Sequence, residues 1–261
     1  MDFSIRFAVF CTVLISLLAW QTLRPRRRLS NWRQRWYHNL ALLLIGALCV
    51  RLVQPLLLSA IAFWGQDIGL LSHLDWPVWC LIVLSILMLD CLIYWQHRLF
   101  HRIPLLWRLH RVHHTDPELD VSSAVRFHPF EILLSLLVKA TAILLLGIPV
   151  VAVLLFDILL NTAAMFNHTN ARLPAKWEAV LQRVIVTPDF HRIHHSRVNS
   201  EANSNFGFFL SIWDTLFASK RWQAIGGDDA LNIGLPGTKT YQPKSLRALL
   251  WMPFKLVIHK S

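Results

Sequence analysis

Thirteen histidines occur in this chain of 261 residues, and most of them are clustered. His97 and His101 form H-x-x-x-H, His110, His113 and His114 form H-x-x-H-H, and His191, His194 and His195 repeat the second pattern. At a histidine frequency of about 5%, one H-x-x-H-H arises by chance in roughly three chains per hundred, and two together in about one chain of two thousand. On a helix, positions i, i+3 and i+4 share one face, with Cβ atoms about 5–6 Å apart. The spacing therefore predicts that each triplet aims three imidazoles at one point and that the pair aims two. Imidazole is a borderline ligand that suits Fe, Zn, Cu and Ni. Eight clustered rings exceed the four ligands of a structural zinc or the three of a catalytic one, so two metal ions sharing the set is the economical reading. Two further histidines stand alone, His128 beside Pro129 and His168 within Asn167-His168-Thr169-Asn170. His128 is as readily a hydrogen-bonded structural residue as a ligand, and His38, His73 and His259 read as interfacial or surface residues. A ligating histidine donates its other N–H to an outer partner. Asp90, Asp189 and Asn205 are candidates for that role, together with Glu131 and Asp214.

The elements that carry these residues are apolar. The chain is 55% hydrophobic and 16% charged, against roughly 25% charged in an ordinary soluble domain. So much apolar surface excludes intrinsic disorder. The four cysteines (Cys11, Cys49, Cys80, Cys91) lie in apolar runs without a C-x-x-C pair, which excludes a disulfide-stapled scaffold. Apolar stretches at 3–23, 40–64, 77–96, 130–146 and 150–166 approach or exceed the roughly 17–25 residues of a spanning helix. The first is long and lacks a small-residue cleavage site, so it reads as a retained helix. Lys and Arg alternate between the connecting segments: six in 24–36, none in 65–76, five in 97–127, none in 147–149 and twelve from 167 onward. The positive-inside tendency puts those 23 of 26 cations in the cytoplasm and the N-terminus outside. The net charge of +11 is then topological, and nucleic acid is not expected as a partner.

Two places strain this pattern. Arg51 falls within the second stretch, four residues before Pro55, and predicts a kinked or re-entrant segment. The fourth and fifth stretches share the turn Gly147-Ile148-Pro149 and read as a hairpin. Lys139 and Asp157 each lie nine residues from Ile148, which places both about 13 Å from the turn at 1.5 Å per residue. Pairing is the natural remedy for charges at that depth. Other metal-dependent membrane functions fit poorly. No histidine is followed by Glu, as H-E-x-x-H proteases require. The clusters lie at or beyond the span ends, whereas a metal transporter holds its ligands at mid-membrane.

The stretch Asp90 to His101, the triplet His110 to His114, Arg126-Phe127-His128-Pro129-Phe130-Glu131, Asn167-His168 and Asp189-Phe190-His191-Arg192-Ile193-His194-His195-Ser196 resemble the fatty acid hydroxylase/sterol desaturase superfamily. Asn205-Phe206-Gly207 and Trp213-Asp214-Thr215-Leu216-Phe217 look like its continuation, and the resemblance covers roughly 85–220. Thr115 stands where serine is common and Phe206 where tyrosine is frequent. The resemblance implies a membrane-bound non-haem di-iron oxidoreductase that uses O2 to hydroxylate or desaturate a lipid C–H bond, the lipid being a sterol, a fatty acyl chain or a related compound. It implies that His97, His101, His110, His113, His114, His191, His194 and His195 hold iron, with His168 as an additional ligand. No electron-carrier domain is fused to these motifs, so a separate electron-donor protein is expected. Zinc is expected to compete for the site in overexpressed protein, because affinity alone does not select iron. The alternative is a catalytically inactive metal-binding scaffold of the same fold.

Together these readings predict an all-α fold, an integral-membrane helical bundle with a cytoplasmic histidine-rich helical cap in a bacterial inner membrane. N-terminal transmembrane helices would occupy 1–84, a catalytic domain including the hairpin 130–166 would occupy 85–220, and a cytoplasmic tail 221–261. The charge count yields a direct test of orientation. A reporter fused after Ser261 should be active in the cytoplasm, and activity confined to the far side would overturn the assignment.

Overall fold

The computed structural model describes residues 2–64, 69–238 and 245–255; His259 and parts of the 65–76 loop and of the tail after 221 lie outside them. The described chain is helical, with three isolated bridges and no strands. Helices α1 (Asp2–Leu23), α2 (Trp32–Trp64) and α3 (Val78–Arg102) come first. They are followed by α4 (Pro104–His114), α5 (Pro129–Leu146) and α6 (Val150–His168). The remainder is short: α7 (Ala175–Leu181), α8 (Pro188–His194), α9 (Asn199–Ala202), α10 (Ile212–Leu216) and α11 (Leu246–Trp251). Five helices, α1, α2, α3, α5 and α6, are long and apolar enough to cross a membrane, and they coincide with the five apolar stretches. Their outward faces leave Phe7, Leu44, Leu48, Leu52, Leu145 and Val150 exposed. Contiguous apolar surface on this scale belongs against lipid.

The α5–α6 hairpin forms as its turn residues dictate. Gly147 closes α5 with φ 66°, and its N–H and that of Ile148 both donate to the carbonyl of Ile143, at 3.0 and 3.1 Å. A left-handed glycine cap followed by a proline that starts the next helix reverses the chain in three residues. A side chain here is excluded twice over. A Cβ on Gly147 would lie 2.6 Å from Ser72 Oγ and 2.9 Å from Gly69 Cα. The turn is thereby packed against the segment leading into α3, and Ile148, Ala152 and Phe156 join Leu71, Leu89 and Ile93 in one buried cluster.

Helix α2 runs through Pro55 without interruption, so the expected re-entrant break at Arg51 is not present, and Arg51 is exposed on the helix surface. Helix α1 packs on α6, α2 on α5, and α3 on both α6 and α4. The C-terminal ends of α1, α3 and α6 and the N-terminal ends of α2 and α5 are brought together. Arg26 N–H donates to Asn170 O at 2.9 Å, and the Arg35 guanidinium reaches Asp116 and Asp120 at 2.5 and 2.8 Å. The segments 24–36, 97–127 and 167 onward therefore meet at one end of the bundle, as their shared charge predicts.

Within the apolar region Lys139 Nζ lies 3.2 Å from Asp157 Oδ1, the pairing expected from the hairpin register. A third charge was not anticipated: Arg6 Nη1 on α1 donates to the other oxygen, Oδ2, at 2.7 Å. Asp157 thus neutralises two cations, and its loss strands both. An unpaired charge at such depth costs about 2.5–3.5 kcal/mol on insertion scales. We expect Asp157→Ala to destabilise more than Lys139→Ala, because Arg6 still holds Asp157 in the second variant. The double variant should recover part of the loss, with a coupling of about 0.5–3 kcal/mol in reversible unfolding. Strictly additive single effects would show the charges to be uncoupled.

Candidate metal centre

Proline sets the start of α4 and α8, which carry the two triplets, and of α5, which carries Glu131. Pro104, Pro129 and Pro188 occupy the first turns of α4, α5 and α8, where the missing N–H costs nothing. Proline also disfavours helix at the preceding residue, so α3 ends at Arg102 and the chain turns back into α4 at Ile103. That turn puts the H-x-x-H-H of α4 against the H-x-x-x-H at the end of α3. Thr187 caps α8, accepting from Phe190 N–H at 3.3 Å, and its own hydroxyl is held by the buried Glu178. His168 ends α6 beneath both triplets.

Nine imidazoles converge there in two groups. His97, His101, His110, His114 and His194 form one, and His113, His168, His191 and His195 the other; within each, one nitrogen per ring lies within 4.8 Å of all the rest. All are buried except His101, which is half-buried. The expectation that a triplet meets at one point is corrected here. His110 and His114 join the first group while His113 joins the second; His191 and His195 join the second while His194 joins the first. At 3.6 residues per turn, i+3 and i+4 lie about 100° apart around the axis, on either side of residue i. An H-x-x-H-H therefore straddles two sites, with its i and i+4 members sharing one.

The donor atoms show that each group fits a metal cation. His97 Nδ1–H donates to Phe206 O at 2.8 Å, and His110 Nδ1–H to Glu131 Oε1 at 2.6 Å. Both neutral rings then present a bare Nε2, yet those two atoms lie 3.1 Å apart. In the second group His113 Nδ1–H donates to Arg126 O at 3.3 Å and His168 Nδ1–H to Ala164 O at 2.7 Å, and again their Nε2 atoms lie 3.1 Å apart. Neutral imidazole has one N–H and one lone pair, so these contacts set lone pair against lone pair. A cation between them turns the repulsion into ligation, and metal–nitrogen bonds of about 2.0–2.1 Å give ligand separations of this size. His168–His191 and His191–His195 continue the second ring at 3.2 and 3.1 Å. In the first group His101 Nε2, His194 Nε2 and both nitrogens of His114 are buried with no hydrogen-bond partner, an arrangement that is costly without a ligand.

Most of the outer partners are main-chain carbonyls, namely those of Phe206, Arg126, Ala164 and, for His194 at 2.8 Å, Ser204. Of the anticipated side chains only Glu131 touches a ring. Asp90 instead accepts from Phe209 N–H, Leu210 N–H and Trp213 Nε1–H, and Asp214 accepts from Phe206 N–H and Gly207 N–H at 2.8 and 2.7 Å. These two carboxylates shape the loop whose Phe206 carbonyl holds His97. Asp189 turns away to pair with Arg26, and Asn205 bonds the carbonyls of Phe190 and Arg221. His128 belongs to neither group: its Nδ1 caps α5 by accepting from Phe130 N–H, and its Nε2–H donates to Leu250 O. Sequence reasoning missed the polar floor under α4. Asp116, two residues past His114, is fully buried between Arg35 and Asn39, and Arg126 binds Val112 O, Thr115 Oγ1 and Asn39 Oδ1. Burial pushes the Asp116 carboxyl up, but Arg35 and Arg126 outweigh it and hold the group below its ordinary value. Its position directly after the second motif was the available signal.

The family model for fatty acid hydroxylases matches residues 82–219, which include every one of these histidines. The chain belongs to the fatty acid hydroxylase family. It is similar to an ornithine lipid hydroxylase of Rhizobium tropici, 31% identical over 166 residues, covering 64% of this chain and 47% of that protein. It is also similar to the alkylglycerol monooxygenase of Homo sapiens, 28% identical over 131 residues, covering 48% of this chain and 27% of that protein. A very-long-chain aldehyde decarbonylase of Oryza sativa is 30% identical over 178 residues, covering 62% and 27%. The chain thus spans less than half the length of these relatives. No solved structure matches it. This family member therefore combines five helices apolar enough to cross a membrane with two histidine groups able to bind metal.

Electrostatics keep the clusters neutral. Burial, reinforced by neighbouring imidazoles, pulls His113, His114, His191 and His195 well below the usual histidine range. Burial also takes His194 down to about 3, partly offset by the Ser204 carbonyl. Neutral rings are the ligating form. The same shifts predict acid sensitivity. Below about pH 6.5 the unfolded chain binds protons that the folded clusters refuse, so stability falls by about 1.4 kcal/mol per pH unit for each such group. The melting temperature of metal-free protein in detergent should hold between pH 8 and 7 and drop steeply below pH 6. A flat profile down to pH 4 would contradict the neutral packing.

Proposed function

We propose that the two histidine groups hold one iron ion each and that the protein uses O2 to hydroxylate or desaturate a C–H bond of a membrane lipid. The facing Nε2 lone pairs of His97 with His110 and of His113 with His168 carry this reading, since both pairs call for a cation. The family relationship supports lipid as the substrate class, and the five apolar helices put the groups at the end of a lipid-facing bundle. Iron bound there would supply the redox chemistry with O2 that no side chain in the site provides. The chain's own part is positional. The carbonyls of Phe206, Ala164, Arg126 and Ser204 and the Glu131 carboxylate fix five rings with Nε2 inward, while burial excludes water from the rest. Neutral ligands leave the charge of the ions uncompensated, which favours reduced iron and the binding of anionic oxygen species. Reducing equivalents would come from a separate donor protein reaching the basic end, which the positive-inside tendency assigns to the cytoplasm. Zinc in overexpressed protein would fill the same ligands without supporting the reaction.

Because each group has its own ligands, metal content and turnover should fall in a pattern. His168→Ala should lose one ion and retain the ion of the other group, and His101→Ala the converse, each read by elemental analysis per chain. His113→Ala, His194→Ala and His195→Ala should abolish the one-oxygen or two-hydrogen shift in the host lipidome while leaving membrane insertion intact. A wild-type maximum of one metal per chain, or unchanged turnover in those variants, would overturn the proposal.

A further inference from the structure

A cavity of about 360 Å³ opens beside the histidine groups, between the segment after α1, the loop after α4, and residues around 192–197 and 231–233. Six arginines line it, Arg27, Arg28, Arg35, Arg126, Arg192 and Arg197, against one acidic residue, Glu118. Several of these cations are engaged. Arg35 is bound by Asp116 and Asp120, Arg126 by the neutral oxygens of Val112, Asn39 and Thr115, and Arg197 Nε donates to Ile233 O. Arg192 is not. It is 3% exposed, its Nε is fully enclosed, and among the described residues no atom hydrogen-bonds or ion-pairs with its guanidinium. The strongest charges acting on it are the cations Arg26, Arg27 and Arg172, opposed by Asp228.

A buried charge without a partner is among the most costly features a protein can retain. Here the unpaired group is a planar fork of donors, the geometry that matches phosphate and carboxylate oxygens two at a time. The cavity is of a size that takes one small molecule or headgroup. Even counting Asp116 and Asp120 with Glu118, the lining keeps a net positive charge. We propose that this cavity is a binding site for an oxyanion group of the phosphate class, with Arg192 as its central contact and Arg28 and Arg197 at its side. The anion is either the headgroup of a membrane lipid or a soluble phosphate compound. The site abuts the histidine centre, since Arg192 follows His191 and the Arg126 carbonyl holds His113, but it does not depend on what those groups bind.

Thermal unfolding of the full chain as purified in detergent, with its metal content measured, tests the proposal. The probes are inorganic phosphate, short-chain phosphatidic acid, and short-chain phosphatidylcholine, whose phosphate is masked by its choline. Phosphate and phosphatidic acid should raise the melting temperature saturably, as ligands selective for the folded state do. A tenfold or greater preference for phosphatidic acid assigns a lipid headgroup, and equal response a soluble anion. Arg192→Gln should lose the response while keeping its metal and melting at or above the wild-type temperature without ligand, because an uncompensated charge has been removed. A merely structural arginine would instead lower that baseline. If Arg192→Gln does not fold, Arg28→Gln decides, with a several-fold weaker phosphate response expected. No saturable response in wild type, or an unchanged response in the deciding variant, overturns the site.

Discussion

Two imidazole lone pairs cannot face each other at 3.1 Å unless something positive lies between them, and the histidine end of this protein is built around two such encounters. Each requires its rings to hold one tautomer. At His97, His110, His113, His168 and His194 that tautomer is set from outside, by an acceptor on Nδ1. The layers beyond follow from this demand. Phe206 must offer its carbonyl to His97, so Asp214 pins the N–H groups of Phe206 and Gly207. Gly207 itself leaves no room for a side chain, since a Cβ would lie 2.8 Å from Asp214 Oδ2. Asp90, inside α3, anchors the next residues of the same loop. Of the carboxylates expected at the rings, Glu131 reaches one, whereas Asp90 and Asp214 act one step behind them, by placing main chain.

This explains what could be read from the residue string and what could not. Histidine identity, the apolar stretches and the Gly147–Pro149 turn each depend on local residue type, and each is found where local type places it. The register of Lys139 against Asp157 follows from counting outward along two helices that share a cap. Carbonyl partners have no side-chain signature, so Ala164, Arg126, Ser204 and Phe206 could not have been singled out. Arg6 escaped for another reason. Nothing along the chain relates α1 to α6, and only their packing brings the guanidinium to Asp157.

The basic segment after α1 is more than a charge that orients the chain. Arg26 is almost wholly buried against Asp189 at the start of α8, and Arg27 donates to the carbonyls of Asp228 and Leu231. Arg35 locks Asp116, which lies two residues beyond His114. Cations that a topology argument counts as interchangeable therefore tie the first two helices to the second and third histidine motifs. The family match begins at residue 82, so this bracing comes from outside the matched segment.

The division of each triplet between two groups has a mechanical consequence. His113 and His114 are neighbours on one turn of α4, and His194 and His195 adjoin at the end of α8, yet each neighbour serves a different group. The separation of the two groups is therefore set by the angular step of a helix, about 100° per residue, on two helices at once. A rotation of α4 that improved one group would move a ligand of the other. Pro104 and Pro188, the caps at Ile103 and Thr187, and the buried bracing of Asp116 and Glu178 all act on the rotation and depth of these two short helices. Helices of eleven and seven residues are too short to hold such positions by their own hydrogen bonds. Precision in both groups is therefore a property of the polar packing beneath α4 and α8, and that packing is where changes remote from any histidine will be felt in both groups together.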